Sequence, residues 1–132
     1  MNNSEPTPSK LPERIALPVD TDVASKPYLV GLAGNPNTGK STVFTALPGR
    51  HQRTGNWSGT TVGLAEGLVD WDDHRYQIMD LPGTYSLGAW AQTDSIARDF
   101  IAFAEIDVLV VVVNATALDR NLALVLQILE IT

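Results

Sequence analysis

Apolar and polar positions along this chain follow two rhythms, and the changes between them mark out its elements. Residues 1–27 follow neither: they are polar and carry Pro6, Pro8, Pro12, Pro18 and Pro27. So little apolar surface cannot offset the entropy of ordering, which predicts a flexible leader. Tyr28-Leu29-Val30-Gly31-Leu32 is a short apolar run that reads as a strand, and Lys40 to Leu47 reads as a helix. Pro48 and Gly49 end that helix and open a segment, irregular through Gly59, rich in Gly, Asn, Ser and Arg. Val62 to Trp71 reads as a strand, Asp72-Asp73-His74 as a tight turn, and Arg75 to Met79 as the antiparallel return strand. Pro82 cannot extend that ladder. Thr93, Asp94 or Ser95 can cap a helix running to about Glu105, with Ile96, Phe100, Ile101 and Ala104 on one face. From Asp107 to Val113 the sequence is continuously apolar and β-branched after its first residue, the pattern of a strand buried on both faces. Leu118 to Glu130 follows as an amphipathic helix with Leu118, Leu122, Val125 and Leu129 at helical spacing. Strand, helix, hairpin, helix, strand, helix is an α/β layout, and its strands beginning at Leu29 and Val108 are expected to be parallel and covered on both faces.

The join between the first strand and helix carries the chemistry. Gly34-Asn35-Pro36-Asn37-Thr38-Gly39-Lys40-Ser41 fits the phosphate-loop spacing G-x-x-x-x-G-K-[ST] at every fixed position. Gly34 and Gly39 are expected to allow backbone angles that turn successive N–H groups toward phosphate oxygens. The helix starting near Lys40, with Thr42 in its first turn, points its positive end at the same anion. The Lys40 ammonium can reach the β- and γ-phosphates, and the Ser41 hydroxyl can sit on Mg²⁺.

Composition narrows the rest. The 132 residues suffice for one domain with a real core. Nine basic against fifteen acidic residues, a net charge of −6, argue against a general nucleic-acid binder, which needs clustered Lys and Arg. Arg50, His51 and Arg53 form a small basic group that reads as a solvated loop. With no cysteine there is no disulfide, thiolate metal site or cysteine chemistry. His51 and His74 lie far apart in expected loops and suggest no metal pair. The most apolar run, around Val108 to Val113, is far short of the roughly 20 residues that span a bilayer, and Met1 to Asp20 has no apolar core of a signal peptide.

A phosphate loop alone fits an ATPase, a small-molecule kinase or a GTPase. Asp80-Leu81-Pro82-Gly83, at the end of a strand forty residues after Lys40, narrows the choice. A carboxylate at a strand's C-terminal end can hold Mg²⁺, and a glycine three positions on can offer its N–H to a γ-phosphate. Thr60 and Thr61, just before the Val62 strand, can add a hydroxyl, so that Ser41, Thr61 and Asp80 make an oxygen set suited to Mg²⁺.

Together with Gly55-Asn-Trp-Ser-Gly-Thr-Thr-Val62, Asp80-Leu-Pro-Gly-Thr-Tyr-Ser-Leu87 and Asn114-Ala-Thr-Ala-Leu-Asp-Arg-Asn-Leu122, the loop resembles the N-terminal GTPase domain of the prokaryotic ferrous-iron transporter FeoB family, from about Tyr28 to the last residue. The resemblance implies a P-loop NTPase fold of the Ras-like TRAFAC class and binding of GTP and GDP. It also implies slow GTP hydrolysis dependent on Mg²⁺ and K⁺, and action at the cytoplasmic face of the cell membrane beside a permease domain on the same chain. By the same resemblance the nucleotide is held by Gly34 to Thr42, by Gly59, Thr60 and Thr61 of switch I, and by Asp80, Leu81, Pro82 and Gly83 of switch II. Asn37 takes K⁺, and Asn37, Lys40, Thr61 and Gly83 act in hydrolysis. Thr84 stands where other GTPases place a water-orienting glutamine, so turnover is expected to be slow.

The sequence also departs from that pattern. Thr60 and Gly63 stand where the family usually has Val and Glu, and no guanine-reading Asn-x-x-Asp follows Val113. The expected consequences are weak discrimination between GTP and ATP, and a domain incomplete at its C-terminal side. The strand at Val108 to Val113 would then be an edge open to self-association. A non-catalytic nucleotide-binding module is the alternative reading; an ATP-using kinase fits the loop but leaves the other motifs unexplained.

Overall fold

The computed structural model describes residues 26–56, 62–88 and 91–132, with the backbone alone for 52–56. The leader up to residue 25, and Gly59, Thr60 and Thr61, lie outside the described residues.

The strand β1 (Tyr28–Gly34) is apolar and lies inside the sheet, flanked on both sides. It pairs in parallel with β4 (His74–Asp80), Val30 opposite Ile78, and with β5 (Val108–Val112), Leu32 opposite Val110. The hairpin of β3 (Gly63–Trp71) and β4 is antiparallel. Its two-residue turn places both Asp72 and Asp73 at positive φ, 49° and 61°, the twist that suits a tight hairpin. The order across the sheet is β2-β3-β4-β1-β5.

The strand β2 (Arg50–Asn56) was not expected: this segment reads as an irregular loop. Its sequence, RHQRTGN, has no apolar alternation because β2 is an edge held by the backbone ladder to β3, with a register irregularity between Arg53 and Asn56. His51 is accordingly no loop residue. Its Nε2 lies 2.9 Å from the Phe44 carbonyl oxygen, and its ring meets the Phe44 ring edge-on at 4.9 Å.

Helices cover both faces of the sheet. The short α1 (Lys40–Ala46) sets Phe44 against Leu32, Val69 and Ile78 on one face. On the other, α2 (Gln92–Phe103) and α3 (Leu118–Ile131) bury Ile96, Ala97, Phe100, Ile101, Leu124 and Ile128 against Leu29, Ala33, Leu64, Met79 and Leu81. The predicted face of α2 is thus the buried one. In α3 the buried line is Asn121, Leu124 and Ile128, whereas Leu118, Leu122 and Leu129 of the predicted stripe are exposed. This helix is apolar on more than one side, so spacing alone could not choose its inner face.

The strand β5 is not covered on both faces as its apolar run suggested, but it does stand at the sheet edge, as the second expectation for it had it. Val108 and Val110 are 51% and 41% exposed, because β5 pairs with β1 on one side and stands at the sheet edge. Asn121 fastens the link between β5 and α3: its Oδ1 accepts the Asn114 N–H at 3.0 Å and its Nδ2 donates to the Ala117 carbonyl at 2.9 Å. Among the described residues no helix is long and apolar enough to cross a membrane.

Candidate functional site

The C-terminal ends of β1 and β4 bring the phosphate loop and the Asp80–Gly83 segment together. The loop leaves β1 at Gly34 and enters α1 at Lys40. Gly39 caps α1 at φ 89°, a left-handed conformation that a side chain disfavours. Gly34 works differently from expectation. It is an ordinary strand residue, and what excludes a side chain is the Val112 carbonyl oxygen, 2.7 Å from where a Cβ would stand.

Between these elements lies an open cavity of about 500 Å³ lined by Asn35, Pro36, Asn37, Gly39, Lys40, Ser41, Thr42 and Gly83. That volume falls in the range of small-molecule sites. A smaller neighbour, about 190 Å³, shares Lys40 and Gly83 and adds Asp80, Leu81 and Pro82. The two motifs, about forty residues apart in sequence, therefore meet at these cavities. Thr38 braces the loop by donating from its hydroxyl to the Asn35 carbonyl at 3.0 Å. Asn37 sits exposed at the rim with φ 61°.

Two polar features stand out around these cavities. The Lys40 ammonium pairs with Asp80 Oδ1, both side chains being largely buried, with 9% and 16% of their surface exposed. Asn35 is 3% exposed, and neither its amide nitrogen nor its amide oxygen has a hydrogen-bond partner. A buried polar atom without a partner costs on the order of 1–3 kcal/mol, so such a pair of atoms is uncommon in a finished core.

The donors suit hard cations as well as phosphate. Ser41 brings a hydroxyl, Asn37 an amide oxygen and Asp80 a carboxylate, all oxygens of the type that Mg²⁺ and K⁺ accept. Thr61, the expected fourth participant, lies outside the described residues.

Sequence reasoning missed the residues that fix the Asp80–Gly83 segment in place. Leu81 donates its N–H to the Leu32 carbonyl and Thr84 donates its own to the Gly34 carbonyl, each at 3.0 Å, so the segment continues alongside β1 beyond Pro82. Thr84 is buried, and its hydroxyl bonds Asp94 at the start of α2. Gln127 of α3 accepts the Leu87 N–H at 2.6 Å and the Ser86 hydroxyl at 3.2 Å. Neither Asp94 nor Gln127 stands in a motif, and only the fold brings them to the loop.

Comparison with known proteins follows this geometry. The family described as Ferrous iron transport protein B matches residues 28–132. The Fe(2+) transporter FeoB of Methanocaldococcus jannaschii is 48% identical over 105 residues, covering 80% of this chain and 16% of that protein. The Fe(2+) transporter FeoB of Escherichia coli strain K12 is 46% identical over 110 residues, covering 80% and 14% respectively. The chain thus matches 16% and 14% of the length of these two relatives. Among solved structures, the G domain of the T. maritima FeoB iron transporter superposes with a TM-score of 0.76 at 37% identity, covering 80% of this chain and 67% of that one. The cytosolic domain of L. pneumophila FeoB gives 0.72 at 42% identity, covering 77% and 41%. The T. maritima cytosolic domain in a GDP form gives 0.75 at 38% identity, covering 80% and 41%.

Proposed function

The chain belongs to the ferrous iron transport protein B family, and from that membership we propose that it is the guanine-nucleotide switch of a ferrous-iron uptake system, acting at the cytoplasmic face of a membrane. The switch holds GTP or GDP by the phosphates and hydrolyses GTP slowly. The observation that carries this reading is the pair of cavities that share Lys40 and Gly83, one lined by the phosphate loop and the other by Asp80-Leu81-Pro82, with Lys40 in contact with Asp80.

The residues divide the work as their chemistry dictates. Lys40 exchanges the Asp80 carboxylate for phosphate oxygens when nucleotide enters, which keeps a largely buried ammonium paired in both states. The N–H groups of the loop from Asn37 to Thr42 surround the phosphates, and the Gly83 N–H serves the γ-phosphate. Mg²⁺ held by Ser41, Asp80 and Thr61, with K⁺ beside Asn37, would neutralise charge that develops on the phosphates during hydrolysis. Thr84 offers no side-chain amide to orient a water, and its hydroxyl is already bonded to Asp94, so turnover stays slow. A permease on the same polypeptide is the proposed partner that reads the switch.

Titration of the purified chain with a fluorescent GDP analogue tests the binding step. Lys40→Ala is expected to weaken binding by roughly 100-fold, the loss of a charged contact in a site sheltered from water. Equal affinity in the variant would remove the loop from the account.

A further inference from the structure

The proposed switch needs a way to tell the rest of the domain that a γ-phosphate is present. Gly83, the residue that would meet that phosphate, sits on the phosphate loop against Pro36, and the next residue holds it there. Thr84 donates its N–H to the Gly34 carbonyl at 3.0 Å, and the residue is 2% exposed and does not line the cavity beside the phosphate loop. The hydroxyl lies against Asp94 Oδ1, 2.7 Å from the Ser86 carbonyl oxygen and 3.3 Å from the Ser86 nitrogen. A hydroxyl has one proton to give, and a carboxylate is the stronger acceptor. Asp94 occupies the first turn of α2, where its other oxygen accepts the Ala91 N–H at 3.3 Å and completes half of a capping box. The far end of the same loop is tied to α3, where Gln127 takes the Leu87 N–H and the Ser86 hydroxyl.

We propose that Thr84 is a positioning residue that makes the start of α2 move with Gly83. Its backbone is fixed to the phosphate loop and its hydroxyl to Asp94, so a displacement of Gly83 by a γ-phosphate reaches α2 through one buried side chain. Gln127 limits how far the loop can move on the α3 side, which directs the displacement into α2. Neither Thr84 nor Asp94 touches the nucleotide, and their role is to relay its state. This inference rests on the nucleotide-switch reading above.

Hydrogen–deuterium exchange on the full chain, loaded with GDP or with a non-hydrolysable GTP analogue and Mg²⁺, tests the relay. In the unsubstituted chain, amides of residues 91–97 are expected to exchange roughly tenfold more slowly in one loaded state than in the other, the range of one charge-assisted hydrogen bond. Thr84→Val keeps the shape but lacks the hydroxyl, and should abolish that difference while GDP still binds. Thr84→Ser should restore it. Should the buried Thr84→Val fail to fold, as a thermal melt would reveal, Asp94→Ala at the half-buried start of α2 carries the same test with the same expected loss. A Thr84→Val or Asp94→Ala chain that keeps the full difference between the two states overturns the relay and leaves the switch reading standing. So does an unsubstituted chain that binds both nucleotides yet shows no difference in α2. Failure of the unsubstituted chain to bind either nucleotide overturns the switch reading, and the relay with it.

Discussion

Replacing Asp80 with asparagine should change nucleotide affinity in opposite directions with and without Mg²⁺. Lys40 pairs with Asp80, and the two side chains are only 9% and 16% exposed, so solvent does little to weaken the contact. A hydrogen bond to a charged group of this kind is worth about 1.5–3 kcal/mol. Nucleotide phosphate must compete with the carboxylate for the ammonium, and the carboxylate also repels the phosphate. Without Mg²⁺, Asp80→Asn removes both penalties, and GDP should bind roughly 10- to 100-fold more tightly. With Mg²⁺, the same change deletes a proposed metal ligand, and the gain should shrink or reverse. Isothermal titration of GDP into both proteins, in EDTA and in excess Mg²⁺, measures the four affinities needed. Weaker or unchanged GDP binding by Asp80→Asn in EDTA would refute the reasoning, because Asp80 would then not be competing for Lys40.

Three further predictions concern the scaffold around the site. Glu66 is 1% exposed, with Oε1 bonded to Gln77 at 2.5 Å and Oε2 without a hydrogen-bond partner. Glu66→Gln keeps the shape and removes the poorly paired charge, so urea unfolding should show a gain of about 1–3 kcal/mol; a loss would show that the charge is compensated. Asn121→Ala removes two hydrogen bonds to backbone and should cost about 2 kcal/mol by the same measurement; an unchanged midpoint would mean the link between β5 and α3 is held otherwise. The hydrogen bond from Arg75 holds the Asp70 carboxyl below its ordinary value of 3.8. A carboxyl with a lowered folded-state value stabilises the fold above its unfolded value, and that contribution is lost as pH falls through the folded one. Asp70 is exposed, so Asp70→Asn should cost under about 1 kcal/mol at neutral pH, with the deficit vanishing in acid; a deficit that persists at low pH would contradict this.

The parts legible in the sequence are those governed by short-range rules. The phosphate loop, the hairpin turn at Asp72-Asp73, the break at Pro82 and the inner face of α2 each follow from residue type and spacing, and each stands where expected. Three features were not legible, each for a physical reason. The edge strand β2 is held by backbone pairing to β3, which leaves no apolar alternation to read. The inner face of α3 is chosen by what it packs against, because its sequence offers more than one apolar side. The ties from Thr84 and Leu87, just after the Asp80–Gly83 segment, to Asp94 and Gln127 join residues 10 and 40 positions apart, a relation that only the folded chain creates. Gly34 is instructive in a smaller way: the glycine was expected, but the cause is the closeness of β5 and not an unusual backbone angle.

The proposed reaction is turnover of GTP at this loop with a monovalent cation at Asn37. Phosphate release from GTP, measured with the purified chain in Mg²⁺ and either K⁺ or Na⁺, tests it most directly. Release is expected to be roughly tenfold or more faster in K⁺, with the difference lost in Asn37→Ala. Equal rates in the two salts, or no release in either, would contradict it.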